Sequence, residues 1–280
     1  MFTDALSGLM EGQAAPGDID ALAGKLVISR SAISDNGTDA EVWNRVFRAS
    51  PAELTGALLN NLPEGSRLTV SFYGRGGAVL LVRDAEGELV LDVERAPGAD
   101  LMFLRKLGRK RGATGGHTFK QMLHNLAISA KALQVTRVEL ISQFGDTAGW
   151  TACGFKPIAS AWTGILQPAL TQRFDWLMQI PPTSHESMPE SIEQTVRRLL
   201  ADEHPRTIWK LTDSGANHLG HRFADLLFAA DLPDLLGHAG DEELPGAVES
   251  PPQWAASLDL KRPKPVQRMM GYLGIEPKKG

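Results

Sequence analysis

Alternation, continuous apolar runs and helical stripes follow one another along the chain, and each pattern predicts an element. KLVISRSAI over 25–33 has the composition of a strand. Two helices are predicted after it. The first, over about 40–48, brings Val42, Val46 and Phe47, with Trp43, to helical spacing. The second opens on Ser50-Pro51-Ala52-Glu53, a capping box with proline at the first helical position. It continues through Leu54, Leu58 and Leu59 and ends at Pro63-Glu64-Gly65. RLTVSFY then alternates, with Leu68, Val70 and Phe72 on one side, as a half-buried strand does. GAVLLVRD is unbroken and apolar, as a central strand is. ELVLDVER alternates again, with Leu89, Leu91 and Val93 on one face and Asp92 and Glu94 on the other. Asp84-Ala85-Glu86-Gly87 is the predicted hairpin turn between these last two runs.

A long helix is predicted from about His117 to Leu133, because Phe119, Met122, Leu123, Leu126, Ala130 and Leu133 form one stripe. VTRVELIS reads as a strand, 147–153 as a short helical stretch, and FKPIASAWTGIL as a final strand. A long helix between two strands implies a right-handed crossover. Past Leu166 the texture changes. Pro181-Pro182-Thr183-Ser184 reads as a linker, with helices predicted over about 187–201 and 216–230. An acidic stretch rich in proline and glycine fills 231–253, and Pro265–Tyr272 makes one short helix. The expected organisation is therefore a loose arm over 1–20, an α/β domain over 21–166 and a mainly helical C-terminal extension over 185–280.

Composition narrows this picture. The chain has 280 residues, 42% hydrophobic and 22% charged, the balance of a soluble globular protein. Its single cysteine, Cys153, excludes an intrachain disulfide, as a reducing compartment would permit. No apolar run approaches 18 residues, and MFTDALSGLMEGQAAPGD lacks the basic start and apolar core of a secretory signal. A cytoplasmic protein without a membrane partner is expected. The net charge of −4 counts against a general nucleic-acid binder.

One segment departs from that acidity. Between Arg105 and Lys120 lie Arg105, Lys106, Arg109, Lys110, Arg111 and Lys120, with no acidic residue among them. Gly112, Gly115 and Gly116 fall inside the same stretch, just ahead of the long helix. Glycine admits close backbone approach, and a helix N-terminus presents unpaired N–H groups with partial positive charge. That combination suits a diphosphate. It also fits a flexible loop with a solvated basic face. The P-loop ending Gly-Lys-Ser/Thr is absent, and no dinucleotide fingerprint can be drawn.

The order of elements and two motifs resemble the GNAT superfamily of N-acetyltransferases. Its Arg/Gln-x-x-Gly-x-Gly/Ala turn has a counterpart in Arg109-Lys110-Arg111-Gly112-Ala113-Thr114-Gly115, with the second glycine one residue late. Its later Asn and Tyr-x-x-x-Gly-Phe correspond to Asp146-Thr147-Ala148-Gly149-Trp150-Thr151-Ala152-Cys153-Gly154-Phe155. There Asp146 stands where Asn is usual and Trp150 where Tyr is usual. The resemblance covers about 130 to 145 residues. It implies a mixed central sheet flanked by helices, with acetyl-CoA as co-substrate. Arg109, Lys110, Arg111, Gly112, Ala113, Thr114, Gly115, Gly116, His117 and Asp146 would surround that co-substrate. It further implies direct attack of an amine acceptor, small molecule or protein, on the thioester. Glu94 or Asp92 would serve as base, and Trp150 would occupy the place of the acid that protonates the departing thiolate. An indole N–H is no useful acid, so water or another group would do that work. Two strands, ELVLDVER and DLMFLRK, are candidates for the one entering the glycine loop, and the choice decides where Glu94 lies.

Other groupings point elsewhere. His218, His221 and Asp225 fall three and four apart, a spacing that reaches one metal ion, although the apolar stripe uses Leu219 and Phe223; no metal is expected. His124 reads as part-buried packing and Cys153 as a buried structural thiol. Gly-x-Ser-x-Gly is absent. Besides an acyltransferase, two readings stay open: a non-catalytic interaction protein of the same fold, and nucleic-acid binding through 105–120. The second lacks aromatics interleaved with the basic residues. The extension would cover the acceptor cleft or make a homo-oligomer contact.

Overall fold

The computed structural model describes residues 18–30, 37–74, 76–98, 100–108, 115–130, 132–179, 190–217, 227–228 and 252–275. Its described residues form a mixed α/β chain with eight strands. Two compact units divide it: Met1–Leu140 with Asp259–Gly280, and Ile141–Leu258. No helix among the described residues is long and apolar enough to cross a membrane. The expected arm over 1–20, except for its last three residues, and the linker over 181–184 lie outside the described residues.

In the first unit the order of strands is β1 (Leu26–Arg30), β2 (Arg67–Tyr73), β3 (Gly77–Arg83), β4 (Leu89–Arg95), β5 (Leu101–Leu107) and β6 (Arg137–Ser142). β1 runs parallel to β2, β2 through β5 are antiparallel, and β5 and β6 are parallel again. Two capped helices precede β2. In α1 (Asp39–Val46) the Thr38 side chain and Glu41 close a capping box, and in α2 (Pro51–Leu58) Ser50 and Glu53 do the same. The β3–β4 hairpin turns at Gly87, with φ +81°, and the Asp84 carboxylate accepts the Glu86 and Glu88 amides at 3.1 and 2.9 Å.

Period-two alternation gives this sheet two unlike faces. Leu68, Val70, Phe72, Leu80, Val82, Val93 and Met102 are fully or almost fully buried. Trp43 of α1 and Phe47 just after it pack on Phe72, with ring centroids 6.3 and 5.8 Å away. The long helix α3 (Gly115–Ser129) covers β4 and β5. On the other face Val27 is 45% and Phe103 40% exposed. The hydroxyls of Ser29 and Ser71 meet there at 2.7 Å in an exposed pair. Asp100 pins the return of the chain: its carboxylate accepts from Thr136 and Lys261, while Leu260 N–H donates to Thr136 C=O at 2.9 Å. From there α9 (Pro263–Leu273) sets Tyr272 edge-on to Phe119 at 6.2 Å.

The second unit corrects one expectation. The predicted final strand FKPIASAWTGIL supplies only the two residues of β7 (Lys156–Pro157). Beyond Ile158 the chain turns helical in α5 (Ala159–Ala161), widens into a π turn over Trp162–Leu166 and continues as α6 (Gln167–Gln179). The reason lies in burial: Trp162, Leu166, Leu170 and Phe174 recur every four residues, and all four are fully buried. A short stretch of alternation competes there with a longer helical stripe, and the stripe buries more apolar surface. The Trp162 indole donates to Asp202 C=O at 2.8 Å, and Gln167 donates to Leu200 C=O at 2.5 Å. These bonds fix α6 to the end of α7 (Glu190–Leu200) and to the turn before α8 (Thr207–Asn217).

A second difference is a strand inside the extension that was expected to be mainly helical. β8 (Trp254–Asp259) pairs antiparallel with β7. Its Trp254 is buried, and the indole donates to Thr147 Oγ1 at 3.2 Å. The helix expected over 187–201 appears as α7, and the terminal one as α9. The helix expected over 216–230 falls mostly outside the described residues.

Candidate functional site

The strand that enters the basic glycine loop is DLMFLRK, as β5, which settles the choice left open by the sequence. At its end Gly108 takes φ +83°, and its N–H donates to Val90 C=O at 2.8 Å. A β-carbon there would lie 3.0 Å from Phe119 Cα and Cβ and 3.2 Å from Phe119 N. Glycine is thus required twice, for backbone angle and for the approach of α3. Arg109, Lys110, Arg111, Gly112, Ala113 and Thr114 lie outside the described residues. Gly115, Gly116 and His117 form the opening backbone of α3, a helix of 15 residues with no acidic residue in its first turn. Lys120, one turn in, places its ammonium 4.8 Å from the centre of the Tyr272 ring.

Glu94 and Asp92 stand on β4, the neighbour of β5, on the more exposed sheet face. Glu94 pairs in register with Phe103 of β5 and Val79 of β3. Tyr73 Oη donates to Glu94 Oε1 at 2.5 Å, and Arg105 donates to Glu94 Oε2. The Arg105 side chain is 53% exposed and that of Glu94 25%. Asp92 pairs with Lys106 and Val93 with Leu104, so the register skips Arg105. A bulge of this kind disturbs the ladder locally, next to the Arg105–Glu94 pair. One oxygen of Asp92, Oδ1, is buried without a hydrogen-bond partner in the structure.

On the opposite face the Arg95 guanidinium is buried, donating to Leu133 C=O at 2.8 Å and Gly76 C=O at 2.5 Å. Burial pulls its pKa below the usual arginine range. The same cause raises the Tyr73 phenol, against the opposing pull of Arg105 and Arg95. Tyr73 therefore stays protonated and remains a donor at neutral pH.

Tyr73 is the member of this group that sequence reasoning missed. It closes an alternating strand and carries no motif. A signal was present nonetheless: a polar-tipped aromatic directly before Gly74, facing a strand that itself opens on glycine.

Asp146 and Trp150 belong to the second unit. Asp146 precedes α4 (Thr147–Ala152), and Trp150 on that helix lies edge-on to Phe155, with centroids 5.2 Å apart. Gly154 takes φ +89°, and both Cys153 and Phe155 are fully buried. Phe155 C=O accepts from the Trp209 indole at 2.8 Å. In the same unit Arg173 is buried against the Phe144 ring, and desolvation lowers its pKa to about 10. His124 on α3 is half-buried. His218, His221 and Asp225 lie outside the described residues.

Chemically, the first unit offers a carboxylate held between a phenol and a guanidinium, one strand away from the strand that feeds the basic loop. Compared with protein-family models, curated proteins and solved structures, the chain matches none.

Proposed function

We propose that the chain is an acyl-CoA-dependent N-acyltransferase, transferring an acetyl or related group to an amine. The observation that carries the reading is the path from β5 through Gly108 and the basic glycine segment into α3 and back to the parallel strand β6. In sequence, Arg109, Lys110, Arg111 and the glycines stand directly ahead of or at the opening of a 15-residue helix without an acid in its first turn. Backbone N–H groups and the helix dipole favour a diphosphate at such a place. Arg109 through His117 would hold it.

A bound thioester supplies an activated acyl carbonyl, whose carbon accepts the amine nitrogen as the C–S bond breaks. The residues of the chain prepare the amine. An acceptor reaches the site as an ammonium and must lose a proton before its nitrogen can attack. Glu94, half-buried and anchored by two donors, is the carboxylate available for that proton. Asp92, two residues away on the same face, is the second.

Calorimetry with acetyl-CoA and with desulfo-CoA tests the reading. Micromolar binding of both, abolished by Gly112→Val in a folded protein, is the expected result. Unchanged affinity in Gly112→Val removes the proposed site. Binding without any transfer to an amine panel would favour a non-catalytic interaction protein.

A further inference from the structure

Tyr73 and Glu94 are not adjacent in the sheet, because β3 runs between their strands. Tyr73 of β2 is paired with Gly77, and Glu94 of β4 with Val79. To reach Glu94 the tyrosine ring must lie across β3, and it does so over Gly77. A β-carbon on Gly77 would stand 2.7 Å from Cε2 and Cζ of the ring and 2.9 Å from Pro97 Cγ. Gly77 is absent from the glycines with positive φ, so its backbone makes no demand for glycine. The ring does.

The hydroxyl has one proton to give. At 2.5 Å it goes to Glu94 Oε1, while Arg95 C=O stands farther off at 3.3 Å. The two oxygens of Glu94 are therefore unlike. Oε1 is tied to a part-buried phenol whose ring lies against Gly77. Oε2 faces Arg105, a long and half-exposed side chain that solvent or another cation can replace.

We infer that Tyr73 is the positioning residue of Glu94: through the gap left by Gly77 it fixes Oε1 and leaves Oε2 as the atom that meets the acceptor ammonium. The step is a proton transfer, in which the ammonium loses a proton, Oε2 gains it, and neutral amine and carboxylic acid result. Arg105 moves aside, and the proton returns to water from the partly exposed carboxyl. The identity of the acceptor rests on the acyltransferase reading, whereas the coupling of Tyr73, Gly77 and Glu94 does not.

The chain has two tyrosines, Tyr73 and Tyr272, so tyrosinate absorbance in a Tyr272→Phe protein reads Tyr73 alone. Gly77→Ala, added to that protein, should expel the ring and bring the Tyr73 midpoint down toward that of a free tyrosine. A second arm measures kcat/KM against pH for amine acylation with saturating acetyl-CoA. Tyr73→Phe and Gly77→Ala should each lower kcat/KM roughly tenfold, and the double variant should lose no more than either alone, as coupled sites do. The acid limb of the profile should shift in both variants alike.

A Tyr73 midpoint that ignores Gly77→Ala overturns the coupling. A shifted midpoint with an unaltered pH profile overturns the positioning role. Absence of transfer from the unsubstituted protein would remove the acyltransferase reading and the role of Oε2 with it, while a shifted midpoint would still establish the coupling. Should Gly77→Ala fail to fold, folding restored by Tyr73→Ala in the same chain would carry the coupling, and no restoration would overturn it.

Discussion

Gly108 and Phe119 meet so closely that a β-carbon on the glycine would lie 3.0 Å from the Phe119 Cα. Eleven positions separate them in sequence, and the basic glycine segment lies between. The contact closes the base of that segment, because it fixes where β5 ends and where α3 passes. Gly108→Ala should therefore destabilise the protein by about 1–3 kcal/mol, from positive φ and the Phe119 backbone together. Urea unfolding monitored by tryptophan fluorescence measures it. A change below ~0.5 kcal/mol would mean that α3 can shift without cost.

Asn125 ties α3 to the end of α2. Fully buried, its amide nitrogen donates to Leu58 C=O at 3.1 Å and Asn60 C=O at 2.9 Å, and its oxygen accepts from Gln121 at 2.8 Å. These carbonyls belong to a helix end, where no intrahelical donor remains. Asn125→Ala leaves them unpaired and should cost roughly 2–3 kcal/mol by chemical denaturation. Asn125→Asp should cost at least as much, since it replaces the donor with an acceptor.

The Tyr73 phenol, raised by burial, makes stability fall on the alkaline side. Its proton is held more tightly folded than unfolded, so the contribution is complete below the unfolded value near 10. It is lost as pH rises through the higher folded value. Unfolding midpoints taken between pH 8 and 11 should drop above about pH 10, and Tyr73→Phe should flatten that drop. An identical slope in the variant would assign the loss to other groups.

Asp202 acts on the acid side. The His204 N–H at 2.8 Å and the Thr207 hydroxyl at 2.8 Å hold its carboxylate below the ordinary value. This contribution is present above the unfolded value and disappears as pH falls through the lower folded one. Asp202→Asn should reduce stability at pH 7 and make less difference near pH 3, as thermal melts at the two pH values would register. An equal loss at both would point to the shape of the side chain rather than its charge.

Trp150 packs edge-on against Phe155, an arrangement a tyrosine ring can largely reproduce. Trp150→Tyr should change acyl transfer by no more than about tenfold, equivalent to ~1.4 kcal/mol of barrier. A hundredfold gain would show that the surroundings are built for a tyrosine acid.

Local rules carried much of the first unit. The Ser50–Glu53 capping box, the hairpin at Gly87 and the alternation in β2 were legible because each depends on residues within a turn or a strand of one another. Asp92 and Glu94 were likewise legible as sharing the more polar face of β4. The partner of Glu94 was not, since Tyr73 reaches it only across an intervening strand and only because Gly77 leaves room. β8 was missed for a similar reason: six residues after a polar stretch gain strand character from pairing with β7.

By itself, then, the sequence determined what is periodic or local: strands on a hairpin, capped helices, a basic segment ahead of a long helix. Tertiary structure decided whether 159–166 is strand or helix, which strand feeds the basic segment, and how Glu94 is held. Those outcomes turn on which surfaces become buried and on which distant atoms fill or vacate a space. A pattern along one chain records the tendency of a segment to be buried, but not the shape of what will bury it.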